Sequence, residues 1–264
     1  MKRLISTTRQ LTFIVIIVFL FVACQKLVDY VVKKVKGDTE YRVCTIQQVT
    51  VTDPSSPAQK THYTFWYNQL GNPVRVKNDA VGTGNPNMAF KYDKNNRLIE
   101  LLRDYNNGFY ETWHKYIYNQ KNQIVRDTQY VFGEIGPSGP LPVENEFTLI
   151  TYKYDSENRI IKNTYSFYSD GTLDFQFTQD YSYDVKGNRT DRSYDTKLSL
   201  LRTNKIWMFI ARDYSLNNPF IATSYNEHKL PLSFSAEGLG GDLVPITGNF
   251  NVDYNCGPVP KAED

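Results

Sequence analysis

The sequence predicts an all-β (mainly β) protein, an antiparallel meander of repeated hairpins that forms an extended twisted sheet, with at most one short helix near residues 203–212. Three observations predict it: one turn sequence recurs six times, strand-period alternation flanks each copy, and aromatic residues reach 14% with 20 Tyr and 15 Phe. Such an excess of aromatics suits pleated strands stabilised by cross-strand ring pairs.

The unit is clearest in Phe90-Lys91-Tyr92-Asp93-Lys94-Asn95-Asn96-Arg97-Leu98-Ile99-Glu100-Leu101. Phe90 and Tyr92 alternate with Lys91, the period of a half-buried strand, and the apolar run from Leu98 resumes after the polar turn. The Asp93 carboxylate suits the first turn position because it accepts from backbone N–H groups further along, and Asn96 tolerates the left-handed conformation that closes the loop. Further copies begin at Phe65-Trp66-Tyr67-Asn68, Tyr116-Ile117-Tyr118-Asn119, Tyr152-Lys153-Tyr154-Asp155, Tyr181-Ser182-Tyr183-Asp184 and Tyr225-Asn226. Their turn-proximal tyrosines are spaced 25, 26, 36, 29 and 42 residues apart, so insertions separate the later copies. At the position that requires positive φ stand Gly71, Asn96, Asn122, Asn158 and Gly187, the residue types that accept it best, while the sixth copy carries Lys229.

Aromatic strand, Tyr-Asp, two free residues, Asn or Gly and then Arg is a unit that resembles the YD repeat of the RHS family. Asn96-Arg97, Asn158-Arg159 and the Tyr-Asp pairs at 92–93, 154–155 and 183–184 carry the likeness, which spans roughly Tyr63 to Leu232. RHS proteins wrap very many such units into a shell around a toxin cargo. With about six units, this chain is more similar to small bacterial lipoproteins with degenerate YD repeats. The resemblance implies no catalytic residue.

Residues 1–23 read as a lipoprotein signal peptide. Lys2, Arg3 and Arg9 form a positive start, and the apolar run from Leu11 to Val22 is too short to span ~30 Å of hydrocarbon comfortably. Leu20-Phe21-Val22-Ala23-Cys24 resembles a lipobox, so Cys24 is the expected lipidation site and the first residue of the mature chain. Residues 24–38 are the expected tether; Leu27, Val28, Val31, Val32 and Val35 fall at helical spacing among lysines.

Residues 39–256 are expected to be one repeat-built β domain. Its first strand is read over Thr39–Val51, ended by Asp53-Pro54-Ser55-Ser56-Pro57, since proline cannot donate to a ladder. Phe132 to Pro142 is rich in Gly and Pro and is read as a solvated connection. Lys197 to Tyr214 lacks the repeat pattern; its apolar Trp207-Met208-Phe209-Ile210 is read as a short helix or helical turn capping the sheet. Phe250 to Tyr254 alternates as a last strand, and residues 257–264 form a polar tail. Cys44 in the first strand and Cys256 after the last form a possible disulfide that would tie the two ends of the domain together.

Thirty basic against 28 acidic residues leave a formal charge of +2, too balanced for a nucleic-acid groove. His62, His114 and His228 lie in different repeats without metal-ligand spacing, and no G-x-S-x-G, P-loop or dinucleotide-binding motif occurs. No cofactor and no metal are therefore expected, and no catalytic residue is assigned. Trp66, Trp113 and Tyr165 are the candidate ligand-stacking residues, because flat aromatic faces on a sheet pack on sugar rings or on a protein partner. The expectation is a non-enzymatic cell-envelope lipoprotein, held to a membrane by its lipid and presenting a β-sheet surface to a polysaccharide or an envelope protein. The alternative is a carbohydrate-active enzyme with a carboxylate pair, for which Glu100, Glu111, Glu144 and Glu146 are available.

Overall fold

The computed structural model describes residues 44–142 and 144–257. The signal peptide, Cys24, the tether, the part of the expected first strand over residues 39–43 and residues 258–264 lie outside the described residues. Strands run from β1 (Cys44–Asp53) and β2 (Ser56–Tyr67) through β3 (Pro73–Asn78), β4 (Asn87–Tyr92), β5 (Leu98–Asp104), β6 (Phe109–Tyr118) and β7 (Ile124–Gly136). A two-residue β8 (Gly139–Pro140) precedes β9 (Phe147–Tyr154), β10 (Ile160–Ser169) and β11 (Thr172–Asp180). After a 3₁₀ turn (Leu200–Thr203) and helix α1 (Lys205–Ala211) come β12 (Ala222–Tyr225), β13 (Pro231–Ala236) and β14 (Gly248–Cys256).

Every ladder is antiparallel. The strands lie in the order β11-β10-β9-β7-β6-β5-β4-β3-β2-β1-β14-β13-β12, with β8 attached to β7 at the side. The meander thus doubles back: the last strand pairs with the first, and Cys44 lies directly opposite Cys256 and is disulfide-bonded to it.

The six repeat turns share one geometry. In the Asp93 turn, Asp93 N–H donates to Arg97 C=O and Asn96 N–H to Asp93 C=O, both at 2.9 Å. Oδ1 of Asp93 also accepts the N–H groups of Asn95 and Arg97 at 2.9 Å. The turns opened by Asn68, Asn119, Asp155, Asp184 and Asn226 repeat all four bonds. A type I turn closed by a left-handed residue leaves a one-residue bulge, and the ladders shift register beside these turns, as at Lys91/Tyr92 and Ile117/Tyr118. The closing residues Gly71, Asn96, Asn122, Asn158, Gly187 and Lys229 all have φ between 58° and 83°.

Neighbouring repeats are also stapled together by tyrosine hydroxyls, except at the sixth copy, where Tyr225 donates to Asp195 at 3.0 Å. The hydroxyls of Tyr92, Tyr118 and Tyr154 donate to the carbonyls of Pro73, Leu98 and Ile124, the residues that open the return strand of the preceding repeat, at 2.6, 2.9 and 2.7 Å. Tyr183 and Tyr254 repeat the bond to Ile160 and Pro231, and Tyr67 donates to Ile46. Burial pushes the Tyr118 phenol up to about 12 and those of Tyr92 and Tyr154 further, which keeps these donors protonated. Arg97 and Arg159 each bond the aspartate of their own turn at 2.7 Å through Nε and lie over the tyrosine of the next repeat, Tyr118 and Tyr183.

One face of the sheet carries the core. Trp207 of α1 is fully buried, with its ring edge-on to Phe65 and Phe90 at 5.6 and 5.7 Å. Phe209 sits between Tyr116 and Tyr152 at 5.4 and 5.3 Å. Asn204 caps α1, its side chain accepting from Ile206 N–H, and the left-handed Arg212 ends it. The helix therefore forms where the repeat pattern lapses, and together with Leu200, Leu201, Leu239, Leu243 and Val244 it covers the sheet.

Three readings of the chain are corrected. The break after β1 narrows to Pro54-Ser55, closed by Asp53 Oδ1 on Ser55 N–H at 2.8 Å. Pro57 lies within β2, in the irregularity between Ser56 and Lys60 where the ladder asks no donor of it. The Gly/Pro stretch, though solvated, carries strand: β7 runs through Phe132 to Gly136 and folds back on β8. Gly133 makes this fit, since a Cβ there would collide with the Tyr110 ring, whose hydroxyl donates to Leu141 C=O at 2.7 Å.

Candidate functional site

The face opposite α1 bears a row of side chains that crosses the strands at one register. Trp66 on β2 faces Arg75, Arg75 faces Ala89, Ala89 faces Leu102, and Leu102 faces Trp113. The row continues from Trp113 to Tyr130, stacked at 5.2 Å, then to Phe147 at 6.4 Å and to Tyr168, stacked on Phe147 at 4.7 Å. Directly opposite residues of an antiparallel ladder point to the same face, so eight strands contribute to one row, apolar except at Arg75, which binds Asp104 at 2.8 Å. Seven interstrand steps of about 4.8 Å make it roughly 34 Å long.

Exposure varies along it. Trp66 is 43% exposed, Tyr130, Phe147 and Tyr168 are half-buried, and Trp113 is buried. Trp113 is held by its surroundings: the indole N–H donates to Glu100 at 3.2 Å and Lys115 lies over the ring at 5.0 Å. Two residues along, a second row runs Lys91, Glu100, Lys115 and Thr128 across adjacent strands. Lys91 binds Glu100 at 2.8 Å. An apolar stripe thus runs beside a strip of ammonium, carboxylate and hydroxyl groups.

Tyr165 does not belong to this surface. It pairs with Ile150 and Phe177 on the face that carries α1, stacks on Phe177 at 4.6 Å and has the Arg212 guanidinium at 5.8 Å from its ring centre. The structure therefore unites Trp66 with Trp113 and separates Tyr165 from both. Tyr130, Phe147 and Tyr168 are stripe residues that sequence reasoning missed. Their membership depends on register accumulated through several bulged hairpins, which no local pattern reveals.

The α1 face holds polar groups of another kind. His114 Nδ1 lies 3.0 Å from Asp127, and the Tyr152 hydroxyl donates to the same carboxylate at 3.0 Å. Burial pushes the Tyr152 phenol far up, and the neighbouring Asp127 carboxylate adds to the effect. Arg212 lines the cavity beside them, which holds about 20 Å³, room for about one water. A second cleft of about 400 Å³ opens beside the end of α1, lined by Gln179, Tyr181, Arg189, Arg212, Leu200 and Gly240 among others. Arg189 is tied to Asp191 and donates to the Arg212 carbonyl.

The glutamates considered for acid–base chemistry are separately engaged. Glu100 holds Lys91 and Trp113; Glu111 accepts from Gly84 N–H at 2.6 Å and from the Tyr105 hydroxyl at 2.8 Å. Glu144 and Glu146 are exposed in the connection before β9. Among the described residues, one group has the composition and proximity of a metal site: Cys44, His228 and Cys256.

No protein-family model matches the chain, and no curated protein does. Among solved structures, the crystal structure of TcdB2-TccC3-TEV is similar at 12% identity and a TM-score of 0.28, and that of TcdB2-TccC3-Cdc42 at 16% identity and 0.29. Each match covers 70% of this chain and 10% of the other, so the chain spans about a tenth of those proteins' length. At such values neither likeness bears on activity or partners.

Proposed function

We propose that the protein is a non-enzymatic lipoprotein of the cell envelope, related in its repeats to the YD units of RHS proteins, that binds a polysaccharide along the aromatic stripe of its open sheet face. The observation that carries this reading is the row from Trp66 to Tyr168, flanked by Lys91, Glu100, Lys115 and Thr128. Sugar rings offer C–H faces to aromatic groups and hydroxyls to charged ones. A stripe of roughly 34 Å (the interstrand spacing taken seven times) matches an extended chain better than a small molecule. Lipid on Cys24 would hold this surface at a membrane, and the balanced charge offers nucleic acid no groove. Hydrolysis by a carboxylate pair draws less support, because Glu100 and Glu111 are each committed to partners of their own.

The test is binding to a panel of soluble polysaccharides by affinity electrophoresis and calorimetry. Trp66→Ala with Tyr130→Ala is expected to weaken retention by the bound glycan at least about tenfold, the equivalent of ~1.4 kcal/mol, with melting little changed. A panel without a binder, or unaltered binding by the double variant, overturns the reading. Glycan turnover that one carboxylate substitution abolishes while the fold persists would establish the enzyme instead.

A further inference from the structure

His228 occupies the third position of the sixth turn. The equivalent residues of the other turns, Leu70, Asn95, Lys121, Glu157 and Lys186, are all exposed. His228 instead tucks its side chain under, 9% exposed, toward the disulfide that joins β1 to β14. Its Nε2 is buried and makes no hydrogen bond; the nearest charge is the Glu227 carboxylate at 3.7 Å. A buried imidazole nitrogen without a partner is costly, and the ring lies beside the two sulfurs of the disulfide. A ring nitrogen of His228, Cys44 Sγ and Cys256 Sγ all lie within 4.8 Å of one another.

We propose that, once the Cys44–Cys256 bond is reduced, the two thiolates and His228 form a site for a zinc-type divalent cation, so that a metal ion takes over the tie between the first and last strands. The chemistry balances in two steps. A dithiol reductant gives two electrons and two protons to the disulfide, producing two cysteine thiols and its own disulfide. The cation then displaces both thiol protons, and the imidazole adds the lone pair of the ring nitrogen that faces the sulfurs. Zinc–sulfur bonds of about 2.3 Å and zinc–nitrogen bonds of about 2.1 Å at tetrahedral angles set the ligand atoms roughly 3.6 to 3.8 Å apart. The two sulfurs reach that separation by side-chain rotation, because β1 and β14 already hold the cysteines directly opposite each other. Two sulfurs and one nitrogen are a ligand set that soft or borderline metals prefer, and the fourth position falls to water.

The test uses the full chain carrying Cys24→Ser, so that no third thiol competes, reduced with a phosphine and titrated with cobalt(II). The proposal expects one cobalt per chain, a sulfur-to-cobalt charge-transfer band with tetrahedral d–d bands, and displacement by zinc. The oxidised chain should show none of these. His228→Ala should weaken cobalt binding at least about tenfold, and Glu227→Gln should leave the spectrum as it was. Zinc should raise the melting temperature of the reduced chain but not of the oxidised one. Should reduction unfold the chain, zinc must restore its far-ultraviolet signature for the proposal to stand. Absence of the thiolate band, or equal affinity in the His228→Ala chain, overturns it.

Discussion

At the scale of single residues, the turn-opening side chain does two jobs. Its oxygen replaces backbone partners for two N–H groups, and where it is an aspartate it also anchors the arginine that lies over the next tyrosine. The Arg97 backbone and side chain lower the Asp93 carboxyl below its ordinary value. At Asp155 partial burial opposes the shift, and the Arg159 N–H and guanidinium outweigh it. A carboxyl with a depressed folded-state value contributes stability fully above its unfolded value, near 3.9, and loses it as pH falls through the folded one. The chain should therefore lose melting temperature as pH drops below about 4. Asp93→Asn with Asp155→Asn, which keeps the acceptor oxygen and removes the titration, should flatten that decline. Melts between neutral and strongly acidic buffer check this, and an unchanged acid slope in the double variant would refute it. The turns were legible because left-handed backbone at one position admits few residue types. The tyrosine staples were not, since each bond joins residues 19 to 30 apart that only the folded ladder brings together.

Among elements, α1 has the least to do with the repeats and the most to do with the core. Its apolar run identified a capping segment, yet the side it covers followed from no periodicity, because Trp207, Met208, Phe209 and Ile210 are consecutive and all buried. Seven residues are too few to hold a helix alone; ring packing on the sheet holds it. Trp207→Ala should accordingly cost about 3 to 5 kcal/mol in urea unfolding, and a loss below about 1 kcal/mol would show that the sheet stands without its cover. Strand alternation likewise disclosed that each hairpin has two faces without disclosing which is covered. Trp66 and Trp113 share the open face, whereas Tyr165, drawn from the same repeat grammar, points to the other.

For the whole molecule, the return of β14 to the side of β1 pairs the first and last strands inside an open sheet whose edges are β11 and β12. The loop closed by Cys44–Cys256 spans 212 residues, and in the chain-entropy model a constraint of that length contributes roughly 5 kcal/mol. Replacing both cysteines with serine should lower stability by an amount approaching this, read from urea unfolding with a chelator present; equal midpoints would mean that the unfolded chain does not feel the bond. The pairing of the first and last strands also governs how the domain answers a pull. A force drawing Cys44 and Gly257 apart enters both strands at the same end of one antiparallel ladder, the geometry in which backbone bonds give way one after another, as in a zip. With the sulfur bridge in place, that load passes through a single covalent link at the point of entry, and the hairpins beyond it are left slack.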